Sequence, residues 1–136
     1  MHISRKSDYA LRALLYISNQ KPDKRSSISE IAENECIPRD FLAKILKGLT
    51  KSGMLKSFQG VRGGYQLAKP KETITFLDVI EAMEGKLKVS LCVAAKEDCG
   101  CGKLDNCAMK EFWEKVQQDL IKTLSDMNFG DPGLRY

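Results

Sequence analysis

The sequence contains one histidine, His2, and no apolar run approaching the roughly 20 residues that a helix needs to span a bilayer. The N-terminal segment also lacks the features of a signal peptide, because Asp8 and Arg12 interrupt its first apolar stretch. No glycine-rich nucleotide cradle precedes a helix, and no second histidine is available to activate a cysteine nucleophile. We therefore expect a cytoplasmic protein that is not an enzyme.

Charge is unevenly distributed along the 136 residues. Residues 1–70 contain 13 Lys/Arg and 6 Asp/Glu, a net charge of +7, whereas residues 71–136 contain 9 and 12, a net charge of −3. A chain of this length is large enough for one domain core. Its basic half is a candidate nucleic-acid face, although many helices carry a solvated lysine side that binds nothing.

Apolar periodicity predicts three helices in the first part of the chain. The first covers about residues 4–19. The second starts after an N-cap at Ser29 and runs to about Cys36, whose small side chain we expect to pack. The third has Pro38 at its first position and is closed by Gly53. The predicted inward face of this third helix comprises Phe41, Leu42, Ile45, Leu46 and Leu49.

A hairpin and two more helices are predicted downstream. Strand-like runs at 55–59 and 64–68 flank a glycine-containing turn, as in a tight hairpin. Thr75 and Asp78 have the spacing of a capping box that opens a fourth helix, and Gly85 follows its end. The last helix has an apolar stripe comprising Phe112, Trp113, Val116, Leu120, Ile121, Leu124 and Met127.

Three helices followed by a hairpin form the order of a winged helix-turn-helix. The predicted fold class is therefore mainly α with a small β-hairpin wing and a long C-terminal dimerisation helix. We predict a DNA-binding winged helix-turn-helix domain at 1–84, a cysteine-rich cluster-binding loop at 85–106, and the dimerisation helix with its tail at 107–136. The last helix has little remaining domain to cover, so its apolar stripe is expected to pack on a second subunit in a two-fold dimer.

The third helix and the hairpin tip carry the candidate DNA contacts. In a helix-turn-helix the second helix of the pair enters the major groove, so its outward face must present the base and phosphate contacts. That face comprises Arg39, Asp40, Ala43, Lys44, Lys47, Thr50 and Lys51. Gln59 and Arg62 lie at the hairpin tip, from which they can reach a minor groove or a phosphate.

Four of the five cysteines fall within sixteen consecutive residues, and these are Cys92, Cys99, Cys101 and Cys107. In a reducing compartment such crowding is more typical of metal ligands or redox sensors than of disulfides. Glycines at positions 100 and 102 allow thiolates to converge on a compact inorganic core, which favours an iron-sulfur cluster. The Cys-x-Cys step and the absence of Cys-x2-Cys pairs count against zinc. Zinc and a metal-free thiol switch remain the alternatives.

Several motifs occur together, in order, along nearly the whole chain. They are Asp8 to Leu14, Ile31-Ala32, Ile37-Pro38 to Leu42, Ile45-Leu46 to Leu49, Lys51-Ser52-Gly53 and Gly60 to Ala68. In this combination the sequence resembles the Rrf2 family of bacterial winged-helix regulators, which includes IscR and NsrR. The resemblance extends from Met1 to about Met127. It implies a homodimer that binds a double-stranded DNA operator and controls transcription, frequently under the control of an iron-sulfur cluster.

The resemblance also implies a ligand set and a class of signal. The implied cysteine ligands are Cys92, Cys101 and Cys107. Cys99 is then a surplus thiol, which could replace Cys101 or serve as a fourth ligand. IscR-like members have a histidine ligand where this chain has Lys110, whereas NsrR-like members use an acidic residue of the first helix, which here is Asp8 of the partner subunit. The implied two-iron or four-iron cluster would sense nitric oxide, redox state or iron-sulfur status. The alternative is a regulator of the same fold that uses a thiol switch or a small-molecule effector.

Overall fold

A computed structural model describes residues 2–94, 107–131 and 133. The elements in chain order are α1 (Arg5–Ser18), α2 (Ile28–Glu35), α3 (Arg39–Lys51), β1 (Leu55–Phe58), β2 (Gly64–Leu67), a 3-10 turn (Lys71–Thr73), α4 (Phe76–Glu84), α5 (Leu91–Ala94) and α6 (Ala108–Asp126). The predicted fold class, mainly α with a small β-hairpin wing, is confirmed. Within the described part of the chain, no helix is long and apolar enough to cross a membrane.

The N-cap predicted for the second helix is wrong by two residues. α2 begins after Ser27, whose side-chain oxygen accepts a hydrogen bond from the Glu30 amide at 3.1 Å. The earlier start follows from the preceding residue, because Ser26 exchanges two backbone hydrogen bonds with Tyr65 of β2, at 2.9 and 2.8 Å. The backbone is therefore extended at Ser26 and becomes helical after Ser27, so Ser27 takes the cap position and Ser29 lies inside the helix.

The inward face predicted for α3 is correct except at Phe41. Leu42, Ile45, Leu46 and Leu49 are at most 1% exposed and form the centre of the core. The Phe41 side chain is 42% exposed instead, because its neighbour is the ring of Tyr9 on the surface of α1. The two rings meet edge to face with their centroids 5.6 Å apart.

The core lies between α1, α3 and α4, and the C-terminal tail completes it. After α6 the chain returns to the start of α4, where the Phe76 amide donates to the Met127 carbonyl and the Phe129 amide donates to the Ile74 carbonyl. The Phe129 side chain is 4% exposed, and its ring centroid lies 5.0 Å from that of Phe76. The tail therefore packs with the winged-helix core rather than apart from it.

Hydrogen bonds at both ends hold α4 in place. The predicted capping box is present: Thr75 Oγ1 accepts from the Asp78 amide at 3.1 Å, and Asp78 Oδ2 accepts from the Thr75 amide at 2.9 Å. At the other end of α4, Glu84 Oε1 accepts from the Ser4 amide at 2.9 Å. Ser4 is the N-cap of α1. The end of α4 is thus bonded to the start of α1, and hydrogen bonding to Ser4 lowers the pKa of Glu84.

A half-buried carboxylate network joins α1 to α2. Tyr16 donates its hydroxyl to Glu30 Oε2 at 2.6 Å, and Lys24 Nζ donates to the same oxygen at 2.7 Å. Burial raises the pKa of Glu30, but the hydrogen bonds from Lys24 and Tyr16 outweigh it, so that the net pKa lies below 4.5. Burial and the bond to Glu30 raise the pKa of Tyr16 to about 12. The network is therefore complete at neutral pH, with the carboxylate charged and the phenol neutral.

We expect Glu30→Gln to reduce the free energy of unfolding at pH 7 by about 1 to 2 kcal/mol, because weaker neutral hydrogen bonds replace those to a charged carboxylate. Because the folded state lowers the pKa of Glu30, this stabilisation is present above pH 4.5 and is lost as the pH falls through the folded pKa. Urea unfolding at pH 7 and at pH 3 measures the difference, with Glu33→Gln on the exposed side of α2 as the control. An equal loss for Glu30→Gln at both pH values would contradict the prediction.

Candidate nucleic-acid interface and cysteine site

The outward face of α3 is available for binding. Arg39, Asp40, Ala43, Lys44, Lys47 and Lys51 are exposed. Thr50 is only partly exposed, and its hydroxyl donates to the Leu46 carbonyl at 2.8 Å. The hydroxyl is therefore already engaged within the helix, and the methyl group is the part of Thr50 that a base could contact. The face is basic, with one acidic side chain in its first turn.

Packing against α4 holds α3 in its orientation. A Cβ atom built on Gly48 would lie 3.3 Å from the terminal methyl carbon of Met83, so the two helices approach closely at this glycine. Val79 and Met83 of α4 belong to the same core cluster as the buried leucines of α3. A displacement of α4 would therefore be passed to α3 through direct contact.

The wing presents a short, polar tip. β1 and β2 pair antiparallel in the register Leu55↔Leu67 to Phe58↔Gly64. The tip, residues 59–63, turns at Gly60, which has a φ of +91°, and the Gly63 amide donates to the Gly60 carbonyl at 2.9 Å. The candidate contacts Gln59 and Arg62 are exposed here, as is Val61. They project from the end of the hairpin.

Arg25, which the sequence patterns did not single out, contacts the wing. Its guanidinium carbon lies 3.7 Å from the centroid of the Phe58 ring, and its Nη1 donates to the Arg62 carbonyl at 3.2 Å. The partners are 33 and 37 residues away in sequence. No local pattern marks such a contact, since it depends on the hairpin folding back against the connection between α1 and α2.

Asp8 lies in the first turn of α1 beside a cationic and aromatic cluster. Its carboxylate is 3.4 Å from Arg12 Nε, and its side chain is 55% exposed. Arg12 also lies over the Tyr9 ring, 4.9 Å from the centroid, and donates from Nη1 to the Glu35 carbonyl at 3.2 Å. Asp8 is accessible to a second molecule. To act as a ligand, its carboxylate would have to give up its ion pair with Arg12.

The described cysteines of the loop stand on either side of residues 95–106. Cys92 lies in α5, and Cys107 is the N-cap residue of α6. α5 packs on α6, and nearby the Val89 amide donates to Gln117 Oε1 at 3.2 Å. Cys99 and Cys101 lie outside the described residues. The residues that are described contain no group of three His, Cys, Asp or Glu side chains close enough to hold a metal.

The donor set fits an iron-sulfur cluster in its chemistry. Thiols stand at both borders of the 95–106 segment, and two more belong to the segment itself. Cys107 is placed at the N-terminus of a 19-residue helix, where the helix dipole favours negative charge such as that of a ligated thiolate. Lys110 is unsuited to ligation, because its ammonium group pairs with Glu114 at 3.9 Å.

Cys36 does not pack as predicted. It is exposed and forms the C-cap of α2 with a left-handed backbone, φ +53°. At this left-handed cap position Cys36 is exposed and takes no part in the core.

The described residues of α6 include none that is buried in the single chain. Met109 and Phe112 are each 52% exposed, and the rings of Phe112 and Trp113 meet at 5.0 Å between centroids. The helix packs against α4 and α5. Within one chain Phe112 of the apolar stripe is exposed and the other six stripe residues are half-buried, so the stripe still offers apolar surface to a second molecule.

Comparisons with known proteins agree with this architecture. The family described as "Rrf2: Iron-dependent Transcriptional regulator" matches residues 3–131. A protein of Aquifex aeolicus (strain VF5) assigned as an HTH-type transcriptional regulator is 36% identical over 124 residues, covering 88% of this chain and 85% of the relative.

Solved structures are similar over almost the full length. IscR of T. potens superimposes with a TM-score of 0.77 at 27% identity, covering 96% of this chain and 85% of that one. CymR, the global cysteine regulator of B. subtilis, superimposes with a TM-score of 0.82 at 22% identity, covering 96% and 95%. The match to residues 3–131 shows that the chain belongs to the Rrf2 family of transcriptional regulators.

Proposed function

We propose that this Rrf2-family regulator is a homodimer that binds a double-stranded DNA operator through α3 and the wing, and that an iron-sulfur cluster gates its DNA affinity. The observation that carries the DNA-binding part is the exposed basic face of α3, together with the exposed polar tip of the wing. No enzymatic activity is part of the proposal, since the relatives compared above are transcriptional regulators.

The DNA contacts divide by their chemistry. Arg39, Lys44, Lys47 and Lys51 supply cations for phosphates, or for guanine in the case of Arg39. Asp40, Ala43 and the Thr50 methyl group are short enough to allow close approach to base edges. Gln59 and Arg62 would extend the interface from the major groove to the adjacent minor groove or phosphate.

Salt dependence tests this interface. We expect log K for operator DNA to fall with log salt, and Lys44→Gln/Lys47→Gln to reduce the slope by about 2, since each neutralised phosphate contributes about 0.9. The probe is a duplex selected from a random library with the wild-type protein. Lys115→Gln is the control, because that lysine lies on α6 and pairs with Asp119 at 2.7 Å. A wild-type slope near zero would overturn the DNA-binding proposal.

The incompletely buried apolar stripe of α6 supports the dimer. Two copies that pack these helices together would bury Phe112 and Trp113 and place two copies of α3 on one face of the assembly. Paired recognition helices suit an operator with two half-sites. The same arrangement would let Asp8 of the partner subunit reach the cysteine site.

The cysteine site is proposed as the sensor, with Cys92, Cys101 and Cys107 as ligands and Asp8 or Cys99 as the candidate fourth. When bound, the cluster would supply a centre that reacts with nitric oxide and oxidants. The chain's own contacts then connect the site with DNA. α5 and α6 pack together at the site, α6 packs on α4, and α4 touches α3 at Gly48. The bond between Glu84 and Ser4 adds a second link, from α4 to the helix that carries Asp8.

A thiol switch without metal is the second candidate, because the same fold is found in the global cysteine regulator of B. subtilis. Iron and sulfide analysis of protein isolated and reconstituted anaerobically separates the two. Iron and sulfide bound to the chain, with a visible spectrum, would support the cluster. A colourless product without iron and sulfide would overturn it and leave the thiol switch. If iron and sulfide are bound, Mössbauer spectroscopy would distinguish two-iron from four-iron clusters.

A further inference from the structure

The wing lies against the connection between α1 and α2, and contacts at and near its tip hold it there. Just after the tip, Ser26 and Tyr65 exchange backbone hydrogen bonds, so the connection before α2 pairs with the outer edge of β2. Gly64 makes this approach possible, because a Cβ built there would lie 2.8 Å from the Ser26 carbonyl oxygen. At the tip, the attachment is made by Arg25.

Arg25 combines two contacts that only a guanidinium group can make together. Its guanidinium carbon lies over the Phe58 ring, at the end of β1, while Nη1 donates to the Arg62 carbonyl within the tip. A lysine ammonium could make one of these contacts but lacks the flat surface and the fork of donors needed for both. The contact therefore connects the end of a strand with the loop that follows it.

The composition of the tip explains why such support is useful. Three of its five residues are Gln59, Val61 and Arg62, all exposed, and the other two are glycines. Glycines lose more conformational freedom on ordering than other residues, so a loop left to itself would pay this entropy on meeting DNA. A tip that is already held in place avoids part of that cost.

We propose that Arg25 is a positioning residue of the DNA interface, which holds the Arg62 backbone so that the Arg62 side chain is presented to DNA. This inference rests on the proposed function, since it assumes that the wing binds DNA. It assigns to Arg25 no phosphate contact of its own.

A double-mutant cycle on the selected duplex tests the proposal. We expect Arg25→Ala and Arg62→Ala each to weaken binding by about tenfold, as expected for one lost arginine contact. Because Arg25 acts through Arg62, the double variant should bind no more weakly than Arg62→Ala. Arg25→Lys keeps the charge and should fail to restore affinity, whereas Phe58→Leu, which removes the ring, should reproduce Arg25→Ala.

Hydrogen exchange in the DNA-free protein supplies a readout that does not depend on binding. The Gly63 amide, bonded to the Gly60 carbonyl, should lose protection in Arg25→Ala while core amides of α3 keep theirs. Recovery of affinity in Arg25→Lys would overturn the proposal. It would also be overturned if the losses of affinity in Arg25→Ala and Arg62→Ala added up in the double variant, with a salt slope about 0.9 lower than that of Arg62→Ala. Unchanged protection at Gly63 would overturn it too. A wild-type salt slope near zero is a different failure, that of the proposed DNA-binding function, and it removes the role of Arg25 as well.

Discussion

Replacing Cys107 with alanine is expected to eliminate bound iron and sulfide and, with them, the response of DNA binding to the signal. Losing a hydrogen-bond partner of a metal ligand already costs about 10- to 100-fold in metal affinity, and losing a ligand should cost more. The fold should survive, because the Cys107 side chain makes no capping hydrogen bond for α6. Iron and acid-labile sulfide per chain, measured after anaerobic isolation, report the loss.

Cys36 offers a matched control for this experiment. It is an exposed cysteine at the end of α2, outside the proposed ligand set. Cys36→Ala should keep the iron, the sulfide and the DNA response of the wild type. If Cys107→Ala retained all three as well, the assignment of Cys107 as a ligand would be wrong.

Replacing Gly63 with alanine is expected to weaken operator binding by about 10- to 100-fold, the cost of one or two lost side-chain contacts to DNA. A Cβ at this position would lie directly against the Phe58 carbonyl oxygen and 2.8 Å from that of Gly60. Both are backbone atoms of the wing, so the tip must rearrange. The core packs elsewhere, and the melting temperature should change little.

Gly53→Ala is the matched control for the wing experiment. Gly53 has a φ of +85°, and a Cβ there would meet nothing within 4 Å. Alanine should therefore cost about 1 kcal/mol of backbone strain without disturbing the wing. Affinity measured by fluorescence anisotropy should remain at the wild-type value. Equal affinities for the two variants would show that the wing tip does not take part in binding.

Much of the fold was predictable because the signals that specify it are local. The apolar stripe of α3 and the capping box of Thr75 and Asp78 each involve residues within a few turns of one helix. The prediction failed at Ser29 and at Phe41 for one reason. In both cases a residue had the right local character, and a distant segment determined its role: β2 fixed the backbone before Ser27, and Tyr9 gave Phe41 a partner on the surface.

The candidate site likewise has parts that local patterns predict and parts that depend on distant segments. The exposed face of α3 could be proposed from helical periodicity, since burying Leu42 and Leu46 leaves Lys44 and Lys47 on the opposite side. The role of Arg25 could not be predicted, because nothing near it in sequence indicates that a hairpin more than thirty residues later will lie against it. The role of the cysteines as cluster ligands remains a prediction. Their spacing and the family resemblance support it, and Cys99 and Cys101 lie outside the described residues.

Local patterns are enough to specify the order of helices and hairpin, the basic face of α3 and the concentration of cysteines before the last helix. These follow from caps, periodicity and composition, which act over a few residues. Only the tertiary structure placed Arg25 on Phe58 and returned Phe129 to the core. It also bonded Glu84 to Ser4. Such contacts arise from which elements become neighbours, and that is settled by how the whole chain packs its apolar surface rather than by any one segment.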